Sequence, residues 1–143
     1  MLRLFCGPKG RRRAAAFRDA IYGAEFFEDI MDRTEELMRE KSCYLDPCIT
    51  LTDFVKILGT NRTYLSRAIF WYCGGHFCDY VNGWRIREVI SKTLAKKGKA
   101  SLYEVAMFCG FNHRRTFHRA FVRETGIPPS NYMKEQQFQG RDA

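Results

Sequence analysis

An all-α fold follows from three features of this 143-residue sequence. Apolar residues recur at intervals of three and four through most of the chain, the period of a helix with one buried face. Gly59, Gly74-Gly75, Gly110 and Gly126 punctuate those runs, where a helix can end in left-handed geometry. A helix, glycine turn and helix also occur twice, separated by a long helical run. The architecture predicted is two helix-turn-helix units joined by a long central helix and preceded by an extra acidic helix.

The clearer copy centres on Cys109 to Phe121. Phe117, Ala120 and Phe121 fall on one stripe that suits a core, while Arg114, Arg115, His118 and Arg119 point elsewhere with no acid before Glu124. Asn112 is placed to cap this helix. The earlier copy runs Leu51, Phe54, Val55, Leu58, Gly59, then Asn61, Leu65, Ala68, Ile69. The later one repeats that order as Leu102, Val105, Ala106, Cys109, Gly110, then Asn112, Phe117, Ala120, Phe121, with one extra residue in the turn. A helix with a cationic outer face after a glycine turn is how such a unit enters the DNA major groove.

The net charge of +8 is segregated along the chain. Residues 1–24 carry six bases and one acid, residues 25–46 three bases and eight acids, and residues 47–143 fifteen bases and seven acids. A polyanion is therefore expected on the paired units and not on the acidic helix. No apolar run approaches the roughly 20 residues of a membrane span. The opening Met1-Leu2-Arg3-Leu4-Phe5 is too short and charged for a secretory signal. The six cysteines are expected to be reduced thiols in a cytoplasm. Cys73, His76 and Cys78 lie close together but lack the paired knuckles of a zinc module, so no metal or other cofactor is expected.

In order, residues 1–24 form a basic arm with Arg11-Arg12-Arg13, expected to be flexible. A leading helix falls within 25–45, with Phe26, Ile30, Leu37 and Met38 as its apolar residues. Pro47 ends that segment. Thr50 caps the next helix with Asp53 three residues on, and Asn61 caps the helix that follows. After Gly74-Gly75 the central helix covers about 77–97, with Phe77, Tyr80, Val81, Trp84, Val89 and Leu94 inward and Arg85, Arg87 and Lys92 outward. Lys96-Lys97-Gly98-Lys99 forms a basic loop. Ser101 and Glu104 make a capping box for the fifth helix. A last helix follows Pro128-Pro129 and carries Tyr132, and residues 136–143 form a frayed tail. The paired units span 46–135, divided into 46–76, the central helix, and 98–135.

Gly110-Phe111-Asn112, Thr116-Phe117-His118-Arg119-Ala120-Phe121, Gly126 and Pro128-Pro129-Ser130-Asn131-Tyr132 resemble the signature of the AraC/XylS transcriptional regulators. Leu51, Leu58-Gly59, Asn61-Arg62, Tyr64-Leu65-Ser66-Arg67, Phe77, Tyr80-Val81 and Arg85-Ile86 resemble the same family's first half, and the likeness covers roughly residues 42–135. It implies a homeodomain-like, AraC-type domain that binds DNA with its third and sixth helices, here about 61–72 and 112–124, in successive major-groove segments. Mapped onto this chain, the DNA-binding residues it implies are Asn61, Arg62, Thr63, Ser66 and Arg67, then Asn112, His113, Arg114, Arg115, His118 and Arg119. The implied partners are double-stranded promoter or operator DNA and RNA polymerase; the resemblance leaves open two forms, the C-terminal part of a longer regulator with an N-terminal sensor or dimerisation domain, and a stand-alone version. The implied setting is a bacterial cytoplasm. Lys92 and Thr93 depart from the family, which places leucines there, so a looser or shifted packing of the central helix is expected.

An enzyme would need convergent acid, base or nucleophile groups in a pocket, and the sequence offers neither a triad spacing nor a phosphate loop. The rival class is a basic helical module that meets an acidic protein or membrane surface without reading DNA sequence.

Overall fold

The computed structural model describes residues 24–95 and 101–139. The arginine cluster at 11–13 and the lysine loop at 96–99 lie outside these residues. Seven α-helices and one short 3-10 turn account for the described chain, with no strand among these residues. They are α1 (Ala24–Lys41), α2 (Leu51–Leu58), α3 (Arg62–Cys73), α4 (Phe77–Ala95), α5 (Leu102–Phe108), α6 (Arg114–Thr125) and α7 (Pro129–Gln139). The chain divides into two compact units. Of the described residues, one holds 24–43 and 48–81; the other holds Tyr44–Pro47, 82–95 and 101–139.

In the first unit, α1 packs against α2 and α3. Its inward residues are Phe27, Ile30, Met31, Thr34, Leu37 and Met38. The expected Phe26 is instead 39% exposed, and its neighbour Phe27, at 1%, takes the core position. Phe26 lies edge-on to Tyr64 at 5.2 Å, and Phe27 meets Trp71 at 6.2 Å. The Tyr72 hydroxyl donates to the Glu35 carboxylate, and the Arg33 guanidinium donates to the Leu58 carbonyl. Thr50 and Asp53 form a complete capping box on α2: Thr50 Oγ1 and N–H both donate to the Asp53 carboxylate, at 2.6 and 2.9 Å. The Thr50 side-chain hydrogen bond, then its backbone one, hold Asp53 below the usual carboxylate range. Both act on the charged form, so this support is present at neutral pH and is lost as pH falls through Asp53's lowered value.

In the second unit, Ile86, Val89, Leu102, Val105, Ala106, Cys109, Phe111, Phe117, Ala120 and Phe121 make one buried cluster. Rings connect through it: Phe117 meets Tyr103 and Phe111 at 5.3 Å each, and Phe121 meets Tyr132 at 5.4 Å. Helix α7 continues to Gln139, so residues 136–139 are helical rather than frayed.

Helix α4 departs most from the expected pattern. Leu94, expected inside, is 50% exposed, whereas Ile86 is buried. Arg85, expected outside, is 9% exposed. Its Nε donates to the Tyr44 carbonyl at 2.7 Å, and its two terminal nitrogens donate to the Asp46 carbonyl and Asn82 Oδ1. Tyr44 stacks on Trp84 at 5.7 Å, and its hydroxyl donates to Glu88. The connection at 44–47 is thereby held by α4, and the cation is buried because carbonyl oxygens replace its hydration. Thr93, at a position where leucine was expected, is buried in step with Val89. Lys92 turns outward and pairs with Glu88 at 3.3 Å.

The two turn glycines do different work. Gly59 has φ +66 with open space where a Cβ would stand. Gly110 has φ +97, and a Cβ there would lie 2.7 Å from the Tyr44 carbonyl and 2.8 Å from Arg85 Nε. Gly59→Ala is expected to cost about 1–2 kcal/mol, the left-handed backbone alone. Gly110→Ala adds overpacking to that strain, for about 2–6 kcal/mol in all. Chemical denaturation of the two variants checks this ordering, and equal losses would contradict it.

Candidate nucleic-acid interface

Each unit presents its second helix by the same device. In α3, Leu65, Ala68 and Ile69 are buried; in α6, Phe117, Ala120 and Phe121 are. An i, i+3, i+4 stripe fixes rotation about the helix axis, and each residue advances about 100°. Thr63, Ser66 and Arg67 in α3, and Arg115, His118 and Arg119 in α6, therefore point away from their own core.

Burial follows this geometry. Asn112, His113, Arg114, Arg115, Thr116, His118 and Arg119 are all exposed. The side chains of Arg115, His118 and Arg119 make no hydrogen bond or ion pair with any described residue. In the first unit Asn61, Arg62, Thr63 and Ser66 are exposed and Arg67 is half-buried. The face of α6 is thus more cationic and more open than that of α3.

Counted from the buried stripe, Arg62 corresponds to Arg114, Thr63 to Arg115, Ser66 to His118 and Arg67 to Arg119. Asn61 then corresponds to His113, not to Asn112. This corrects the expected cap. Asn61 Oδ1 accepts from the Tyr64 N–H at 2.9 Å and closes the first turn of α3. The residue in front of α6 is His113, and it makes no side-chain capping bond. The extra residue of the second turn pushes Asn112 one place too far upstream to cap. The first-turn amides of α6 consequently have no side-chain acceptor, and they favour an external anion. Ser101 likewise makes no capping bond to α5, so the expected box with Glu104 is not formed.

The first arginine of each helix is held differently. Arg62 Nη1 donates to Thr52 Oγ1 at 3.0 Å. The Arg114 guanidinium sits over the Tyr103 ring, 4.0 Å from its centroid. Sequence reading identified both arginines but not their supports, which come from the preceding helix.

Among the described residues no group of His, Cys, Asp and Glu is arranged to hold a metal ion. Cys109 is buried in the second unit's turn, and burial pushes its thiol up.

A glycine-terminated first helix, a stripe-anchored second helix and an open polar face on the latter define a helix-turn-helix protein of the DNA-binding kind. Residues 54–135 match the family described as helix-turn-helix domain, and the chain belongs to that family. Helix α1 lies before the matched residues. A solved structure of a protein of unknown function from Listeria innocua is similar in fold, with 24% identity, 73% of this chain and 94% of that chain covered, and a TM-score of 0.57. Among the described residues, no helix is long and apolar enough to cross a membrane.

Two outcomes follow from this geometry. Asn61→Ala removes a working cap and is expected to cost about 1 kcal/mol of stability. Asn112→Ala, by contrast, is expected to leave stability within about 0.5 kcal/mol. Thermal melting of both variants checks the pair. With a thiol reagent on the native protein, Cys48 and Cys78 should label readily and Cys109 only on unfolding, because a buried protonated thiol is a poor nucleophile. Mass mapping of the labelled peptides reads this out.

Proposed function

We propose that this chain is the DNA-binding part of an AraC/XylS-type transcriptional regulator. On this reading it recognises a promoter or operator sequence with α3 and α6 in successive major-groove segments. The observation that carries the reading is the outer face of α6, where Arg114, Arg115, His118 and Arg119 are exposed with no carboxylate paired to them among the described residues. A solvated cationic helix face of that size attracts phosphates by counterion release, and its arginines match the O6 and N7 edge of guanine. The uncapped amides at the start of α6 supply a phosphate contact that would set its register. Asn61, Thr63, Ser66 and Arg67 take the corresponding roles in the first unit, where Arg62 contacts phosphate, and Asn112 and His113 flank the second reader.

The exposed carboxylates of α1 (Glu25, Glu28, Asp29, Asp32, Glu36 and Glu40) repel a polyanion from that helix. RNA polymerase is the further partner this reading implies.

Fluorescence anisotropy on a duplex selected from a random library tests the reading. Affinity is expected to fall steeply with salt, with a log–log slope of about −0.9 per phosphate neutralised. Arg115→Ala should lose discrimination of about 1–3 kcal/mol at one base pair. Arg119→Ala should weaken all duplexes alike and reduce the salt slope by about 1. Failure of selection to enrich any sequence, with binding equal on acidic protein or anionic vesicles, contradicts sequence readout.

A further inference from the structure

Position two of the first helix in each helix-turn-helix pair supports the first arginine of the second helix, and the two supports differ in chemistry. Thr52 is the second residue of α2, and Tyr103 is the second residue of α5. Arg62 and Arg114 each stand three residues before the buried stripe. The hydroxyl of Thr52 takes one Nη1 hydrogen of Arg62, at 3.0 Å. The Tyr103 ring instead meets Arg114 through its π-face, with the guanidinium carbon 4.0 Å from the ring centroid. Stacking engages the flat side of the guanidinium and leaves its edge donors available. The ring is itself fixed, since Tyr103 is half-buried and lies edge-on to Phe117 at 5.3 Å. Arg114 has no hydrogen bond or ion pair to a described residue that would occupy those donors.

We propose that Tyr103 is a specificity-determining positioning residue: by stacking beneath Arg114 it holds the guanidinium fork of that side chain ready for bidentate contact with a guanine. This rests on the reading of α6 as a DNA-reading helix. A free arginine loses about 2 kcal/mol of rotamer freedom when it is fixed against a base. A stacked one has lost part of it before binding, so the correct base gains relative to a wrong one. Arg62, with one donor already engaged by a hydroxyl, is left with a fork less suited to a base edge and is assigned to phosphate.

The stack itself is read without DNA. The Cδ protons of Arg114 should be shifted upfield by the ring in wild type and in Tyr103→Phe, and not in Tyr103→Leu. The consequence is read by anisotropy on a selected duplex and its single-base variants. Arg114→Ala identifies the base pair concerned by abolishing discrimination there. Tyr103→Leu is expected to lose discrimination about three- to tenfold at that same pair. Tyr103→Phe should retain it, and Tyr103→Leu in the Arg114→Ala background should cause no further loss. Arg114→Lys keeps the charge and the native ring but not the planar fork; it should lose discrimination as Arg114→Ala does, which keeps the test decisive if Tyr103→Leu fails to fold.

Unchanged discrimination in Tyr103→Leu, uniform weakening on every duplex, or full discrimination in Arg114→Lys each overturns the assignment. A wild-type protein that prefers no duplex removes the DNA-reading premise and the proposal with it. An intact ring-current shift in that case marks the premise, and not the stack, as the point of failure.

Discussion

The burial of three side chains on one turn and a half of helix is the constraint on which each half of this protein depends. Removing Phe117 or Phe121 from water contributes about 1.5–3 kcal/mol each, and the rings of Phe111 and Tyr103 close around Phe117. That stabilisation far exceeds what an exposed ion pair on the opposite face could contribute, which is about 0–1 kcal/mol. Rotation of α6 is therefore decided by its apolar residues, and the arginines go where the apolar residues leave them. The same holds for α3, where Leu65, Ala68 and Ile69 are fully buried. A charge left without a partner in water costs the fold little. It remains available to an anion.

Arginine serves two opposite purposes in the second unit. Arg85 is buried, and its donors go to the carbonyls of Tyr44 and Asp46. Those carbonyls belong to the connection between α1 and α2, and the guanidinium donates to both of them. Gly110 fits against this arrangement because any larger residue would strike the Tyr44 carbonyl and Arg85 Nε. Arg114 and its neighbours have the converse environment: exposed, with a ring rather than an acceptor beneath the first of them. The distinction between Arg85 and Arg114 is thus one of acceptors within reach.

Most of the helical framework was legible in the sequence because apolar period, capping residues and turn glycines agree there. Thr50 with Asp53 and Asn61 cap as their spacing implies. The misreadings share a cause. A periodicity argument treats arginine as a surface residue, so Arg85 was placed outside although distant carbonyls make its burial favourable. Phe26 and Phe27 are adjacent and equally apolar; which one faces inward is settled by α3 through Tyr64 and Trp71. Asn112 has the composition of a cap but stands one residue too far from α6, a displacement visible only when the repeats are aligned on their buried stripes. Tyr103 gave no local signal at all, since its role comes from a ring meeting a side chain eleven residues later.

Charge adds direction to this scheme. Carboxylates dominate the exposed side of α1, and bases dominate α6. A polyanion approaching the protein is attracted to one and repelled by the other. The most direct test is a titration of isotopically labelled protein with its selected duplex, followed by amide chemical shifts. The account predicts that the large perturbations fall at Asn61 to Arg67 and at Asn112 to Arg119, with α1 unmoved. Perturbations concentrated on α1 or α7, with the outer face of α6 silent, would contradict it.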